Sequence, residues 1–182
     1  MQQVQPDIHP VLRQRWSPRS FDRWVDLPDD VLNALLEAAR WAPSAGNSQP
    51  WSFVLARRGD DLHRRIVKHL APSAGAWAPD AGALIVNLCH RYVEGTDWEY
   101  SEFSVYDLGQ AVAHLSVQAT AMGLAVRQFR AFDKQALTAE LEVPDHWEVL
   151  TIAAVGASLA GRGPLRDRRS VDDLRWPPAA KG

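Results

Sequence analysis

Residues 41–51 read Trp-Ala-Pro-Ser-Ala-Gly-Asn-Ser-Gln-Pro-Trp and gather side chains suited to recognising a small molecule. Ser44, Asn47, Ser48 and Gln49 stand between Pro43 and Pro50, and Gly46 is free to take a positive φ. The prolines make the stretch stiff. Each amide offers both a donor and an acceptor, which suits the edge of a flat heterocycle that alternates the two. The same composition suits an ordinary polar turn between a helix and a strand, and the segment by itself admits both readings.

Other chemistries lack residues to carry them. No Ser-His-Asp set, metal-ligand cluster or Gly-rich phosphate loop is visible, so hydrolase and nucleotide-triphosphate readings have no support. His63 and His69 are six apart on an expected helix and point to different faces, which argues against a shared metal. His114 lies in a core-type helix and reads as structural. The single cysteine, Cys89, sits in an apolar run and reads as a buried inert thiol. One cysteine forms no internal disulfide, which favours a reducing cytosol.

The 182 residues fit one domain, with 46% hydrophobic and 23% charged residues, the balance of a soluble protein with a real core. A formal net charge of -2 gives no general attraction to nucleic acid or an anionic membrane. No signal peptide is apparent in 1–10, and no apolar run approaches the roughly 18 residues a membrane span needs. Eight tryptophans are many for this length, so some are expected at a protein interface or a ligand site.

The elements that must position the 41–51 segment follow from periodicity. Asp29 or Asp30 is expected to cap a helix whose Leu32, Leu35, Leu36 and Ala39 share one face. Pro43 ends that helix, and Trp51 to Leu55 reads as a strand. Asp60 to Leu70 reads as a helix and Ala83 to Leu88 as a buried strand. Glu94 to Glu102 reads as a loop. The longest helix is expected over Asp107 to Met122, with Leu108, Val112, Leu115, Ala119 and Met122 on one stripe and Gly123 ending it. Leu124 to Phe129 reads as a strand, Asp133 to Leu141 as a short helix and Val149 to Val155 as a last buried strand. The tail from Gly161 has no core periodicity. One domain over 1–182, with an N-terminal arm at 1–11 and a C-terminal extension at 161–182, accounts for the chain. Strands interspersed with helices give an α+β or α/β sandwich.

Pro43-Ser44-x-x-Asn47-x-Gln49-Pro50-Trp51 after a helix ending in Ala-Ala resembles a signature of the FMN-dependent nitroreductase family. Two further stretches match that family in order: Arg15-Trp16-Ser17-Pro18-Arg19-Ser20-Phe21 near the N-terminus, and Arg166 to Leu174 in the tail. The resemblance covers about Leu12 to Leu174. It implies an α+β fold with helices on both faces of a mixed, mostly antiparallel sheet, and an intertwined homodimer whose C-terminal extensions reach across to the partner.

It also implies a site. Arginine's planar fork matches phosphate oxygens, and Arg15, Ser17 and Arg19 would meet the phosphate, ribityl and pyrimidine parts of FMN, in an order the residues leave open. Arg168 and Arg169 would add to the phosphate site. Pro43, Ser44, Ala45 and Asn47 would reach the same flavin from the other subunit, making two composite sites per dimer. Gln128, Phe129 and Arg130 would lie beside the reactive edge, in a segment where relatives end Gly-Phe-Asp and this chain has Ala131-Phe132-Asp133. No catalytic side chain is expected, because the cofactor carries the chemistry. The implied activity is ping-pong reduction of a flat electrophile, such as a nitroaromatic or quinone, with NADH or NADPH as donor. Two alternatives stand beside it: a flavin-binding or storage protein without reductase activity, and a specialised flavin oxidoreductase acting on one metabolite. FMN rather than FAD is expected, since no dinucleotide-binding Gly-rich turn follows a strand.

Overall fold

The computed structural model describes residues 7–160 and 166–176. The start of the expected arm (1–6) and parts of the expected extension (161–165 and 177–182) lie outside the described residues.

The elements run α1 (Pro10–Gln14), α2 (Asp29–Arg40), β1 (Trp51–Arg57), α3 (Asp61–Val67), α4 (Pro72–Gly75), β2 (Ala83–His90), α5 (Ser104–Ala121), β3 (Ala125–Phe129), α6 (Lys134–Glu140) and β4 (Trp147–Gly156), with single 3-10 turns at Ala45–Asn47, Ala78–Asp80 and Asp172–Leu174. The sheet order is β1-β2-β4-β3, and each neighbouring pair is antiparallel. The mixed pairing implied by the resemblance does not occur among the described residues.

Helices cover both faces of the sheet. Ala83 and Ile85 of β2, with Ala153 and Val155 of β4, pack on Leu32, Leu35 and Ala39 of α2 and Ala111, Leu115 and Ala119 of α5. The alternate residues Leu84, Val86, Ile152 and Ala154 pack on Ile66 of α3 and Leu137 of α6. This double cover explains why β2 reads as an apolar run interrupted only by the buried Asn87, although its partners are antiparallel, an arrangement that often leaves one face wet.

Several local expectations need correction. Pro28, not an aspartate, occupies the N-cap position of α2, and no side chain caps it. Asp29 pairs instead with Arg57 of β1, while both Asp29 and Asp30 lie in the first turn, where the helix dipole favours acids. The long helix α5 begins at Ser104, and Met122 is exposed, so its buried stripe stops at Ala119. Gly123 ends it as read: at φ 76 it supports Gly123 N–H to Thr120 O (3.1 Å) and Leu124 N–H to Ala119 O (2.8 Å). The helices α1 and α4 were not legible in the periodicity, being only 5 and 4 residues long. Helix α1 straddles the expected end of the arm and packs on α5.

Candidate functional site

The segment after α2 is held from three sides. At the end of α2, hydrogen bonds from Arg40 and from the Trp41 indole hold the Glu37 carboxyl down at about 2. Within the turn, Ser44 Oγ accepts the Gln49 N–H at 3.0 Å, and Asn47 N–H donates to Ser44 O at 3.0 Å. From across the fold, Asp107 Oδ2 accepts the Ala45 N–H at 3.0 Å. Gly46, Asn47 and Gln49 all take positive φ (58, 55 and 48), a conformation costing a non-glycine residue roughly 1–2 kcal/mol. Surroundings must over-determine such a turn for it to persist. Pro43, Ala45 and Asn47 remain exposed and Ser44 half-buried, and the Asn47 side chain has no partner among the described residues.

The Arg15–Phe21 stretch is anchored by its last residue. Phe21 is 1% exposed, bridges to Ser158 and lies against Trp77 with ring centroids 6.2 Å apart. Its approach requires glycine beneath it: a Cβ on Gly156 would lie 3.1 Å from the Phe21 ring and 2.9 Å from the Gly82 nitrogen. Upstream, Arg127 of β3 donates to Pro18 O at 3.1 Å while its guanidinium lies 4.2 Å from the Trp77 ring centroid. Ser17 and Arg15 are half-buried and Arg19 is exposed.

The strand β3 separates its predicted site residues. Gln128 is exposed, and its amide donates to Ser116 Oγ at 3.3 Å. The Phe129 ring points inward, edge-on to Trp77 at 5.1 Å and near Phe132 at 6.5 Å, so its side chain is core rather than site surface. Arg130 is exposed. Ala131 does not need the positive φ that glycine tolerates. Its carbonyl accepts the Ala71 N–H at 2.9 Å, while its own N–H donates to no group among the described residues. Arg168 and Arg169 are exposed, and Arg168 bonds only the neighbouring Asp167 carbonyl, at 2.9 Å.

Apart from Arg13, Arg127 and Arg168, the described arginines divide into two sets. Arg23, Arg40, Arg57, Arg58, Arg64, Arg65, Arg91 and Arg175 each pair with a carboxylate. Arg15, Arg19, Arg130, Arg166 and Arg169 have no side-chain partner among the described residues. The unpaired guanidinium groups therefore fall in the segments singled out by sequence, and unpaired arginine forks are available to an anion.

One chain does not bring all these segments together. The 43–47 turn is tied to the first turn of α5 at Asp107, whereas Gln128, next to the arginine that holds Pro18, meets α5 at Ser116. Nine residues of helix separate those levels by about 14 Å. The tail makes no hydrogen bond or ion pair with either segment among the described residues. Concavities beside α6 (Lys134, Thr138, Asp145) and below Gly95 and His146 involve none of the predicted residues.

Sequence reasoning missed Asp107 and Arg127. Asp107 was legible only as a helix start, although an acid within an otherwise apolar helix stripe is a signal for a buried partner. Cys89 is buried as read, and burial pushes its thiol up to about 11. The Tyr100 ring of the loop before α5 stacks on His90 at 3.8 Å, and Trp147 stacks on the same imidazole at 4.8 Å. No group of three or more His, Cys, Asp or Glu able to hold a metal occurs among the described residues, and no described helix is long and apolar enough to cross a membrane.

Residues 12–81 match the model of the Nitroreductase family. The chain is 31% identical over 155 residues to a 5,6-dimethylbenzimidazole synthase of Rhodospirillum rubrum, spanning 71% of this chain and 72% of that protein. It is 36% identical over 59 residues to an oxygen-insensitive NADPH nitroreductase of Helicobacter acinonychis, spanning 32% of this chain and 28% of that one. A solved structure of an oxidoreductase containing FMN superposes with a TM-score of 0.86 at 26% identity, over 99% of this chain and 96% of the other.

Proposed function

The chain belongs to the nitroreductase family, and from that membership we propose that it is a homodimeric, FMN-dependent oxidoreductase. It would use NADH or NADPH to reduce a flat electrophilic acceptor such as a nitroaromatic or a quinone. The observation that carries this reading is the set of unpaired arginines, Arg15, Arg19, Arg130 and Arg169, in a chain that pairs eight others with carboxylates. The likeness to an FMN-containing oxidoreductase and to an NADPH nitroreductase supports the cofactor and the donor.

The residues present fit FMN. Arg15, Ser17 and Arg19 would hold the phosphate, ribityl and pyrimidine parts, with Arg168 and Arg169 of the tail adding charge at the phosphate. Pro43, Ser44, Ala45 and Asn47 would close on the ring from the partner subunit, with the free Asn47 amide able to donate and accept. In this reading the Ser44 hydroxyl oxygen accepts the Gln49 N–H and its O–H stays free to donate to the flavin. Gln128, Arg130 and the backbone at Phe129 would line the reactive edge, where the unengaged Ala131 N–H is a donor. FMN, when bound, supplies two-electron transfer between nicotinamide and acceptor. The chain's own part is to bind, orient and shield.

A dimer is supported by the separation of the two half-sites along α5 and by the exposed apolar groups on that helix, Val105 and Tyr106, with Trp41 nearby in sequence to the 43–47 turn. A cytoplasmic location is part of the same proposal. The similarity to 5,6-dimethylbenzimidazole synthase favours a second reading, in which the flavin serves one particular metabolite.

Anaerobic mixing of the FMN-loaded protein with NADH and with NADPH tests the proposal. Bleaching of the flavin absorbance, followed by re-oxidation with nitroaromatics or quinones, is the expected result. Persistent colour with both donors would leave a flavin-binding protein without reductase activity. Reduction that only a single metabolite class reverses would favour the specialised reading.

A further inference from the structure

We infer that Asp107 is a positioning residue for the flavin-facing turn, setting the place of Asn47 from the opposite side of the loop. The inference rests on the proposed FMN reading and adds to it a residue outside every matched motif.

Asp107 is 2% exposed, yet it carries a carboxylate. One oxygen accepts the Ala45 N–H at 3.0 Å, and the other accepts from Gln110 Nε2 at 3.3 Å. That same Gln110 nitrogen lies 3.5 Å from the Pro43 carbonyl. Asp107 and Gln110 therefore grip the turn at Pro43 and at Ala45, the residue that opens the 3-10 turn and immediately precedes Gly46 and Asn47. The carboxylate lies in the first turn of α5, where the helix dipole favours a negative charge. A hydrogen bond to an ionised acceptor is stronger than a neutral one.

Within the turn, only Ser44 provides a side-chain acceptor for a backbone N–H, and it serves Gln49, beyond Asn47. The N-terminal half of the turn depends on Asp107. Without that carboxylate the Ala45 N–H loses its acceptor, and the left-handed run from Gly46 through Asn47 loses the contact that selects it over less strained turns. The Asn47 amide would then no longer be preorganised toward the flavin.

The test uses the full chain and reads FMN affinity and the reduction potential of bound flavin, with folding followed by circular dichroism and thermal unfolding. Asp107→Ala should weaken FMN by about tenfold or more and shift the potential. Asp107→Asn, whose amide oxygen still accepts from Ala45, should recover part of both. Ile66→Val, in the core on the other sheet face, serves as the control for general stability: it should lower Tm and leave affinity and potential unchanged. If Asp107→Ala does not fold, Asp107→Asn and Gln110→Ala carry the same two readouts and should each show a smaller loss. Wild-type affinity and potential in the folded Asp107 variants, with Arg19→Ala still weakening FMN, would overturn the inference alone. Wild-type protein that binds no FMN, or Arg19→Ala and Asn47→Asp without effect, would overturn the functional reading and the inference with it.

Discussion

The Arg127 guanidinium lies 4.2 Å from the Trp77 ring centroid and donates to the Pro18 carbonyl at 3.1 Å. One strand residue thereby fixes the height of the Arg15–Arg19 stretch over the sheet. The Trp77 ring also meets Phe21 and Phe129, so this stretch is tied to the core cluster through one indole. Replacing Arg127 by Ala removes a charged hydrogen bond and a cation–π contact, which should cost about 1.5–3 kcal/mol of stability. FMN affinity should fall together with it. Denaturant unfolding and a flavin titration on the same variant check both; a stability loss with unchanged flavin affinity would detach Arg127 from the site.

Arg19 and Arg64 make a paired comparison. Arg64 is an exposed helix residue already paired with Asp61 at 3.3 Å, and such pairs contribute little. Arg19 has no partner among the described residues. Arg19→Ala should weaken FMN by roughly 1.5–3 kcal/mol, one to two decades, while Arg64→Ala leaves it within a few-fold. Equal small effects in flavin titrations would remove the N-terminal arginines from the proposed site.

At Asn47 the fold and the ligand make separate demands. The residue has φ 55 and no side-chain bond among the described residues, and aspartate also tolerates that backbone. Asn47→Asp should therefore unfold like the wild type. It should bind FMN more weakly or lower the potential of the bound flavin, because a donor is replaced by a negative charge. Spectroelectrochemistry decides; wild-type flavin content, potential and turnover would return Asn47 to a turn residue.

His63 sets an expected pH response of stability. It is 5% exposed, its Nε2 has no partner, and burial followed by the nearby Arg58 charge pushes its pKa below the ordinary value of 6.5. The unfolded chain then binds the proton more readily than the folded one. The neutral-His contribution is complete above about pH 6.5 and is lost as pH falls from there toward the folded pKa. Tm should drop between pH 7.5 and 5.5, and His63→Gln should reduce the slope. An unchanged slope in the variant would assign the response elsewhere, His90 being the other histidine whose pKa is lowered by burial.

The placement of the chemical segments was readable because each signal is local. Pro43 stops α2, Gly123 stops α5, and the apolar run from Ala83 has no periodic gap in which to form a wet face. These depend on backbone geometry within a few residues, which short-range sequence carries directly. The short helices α1 and α4 escaped because one turn contains no repeat to detect.

By itself, the sequence determined the four strands, the longer helices and their order, and a concentration of arginines and amides in three stretches. Only tertiary structure decided which of those groups remain available. Arg64 and Arg19 are alike in composition, yet one has met a carboxylate and the other has not. Phe129 and Gln128 are adjacent, but strand alternation sends one ring into the core and leaves one amide outside. Asp107 reaches Ala45 across 62 positions of chain. No local rule encodes that contact, because it exists only once α2 and α5 pack together on one face of the sheet.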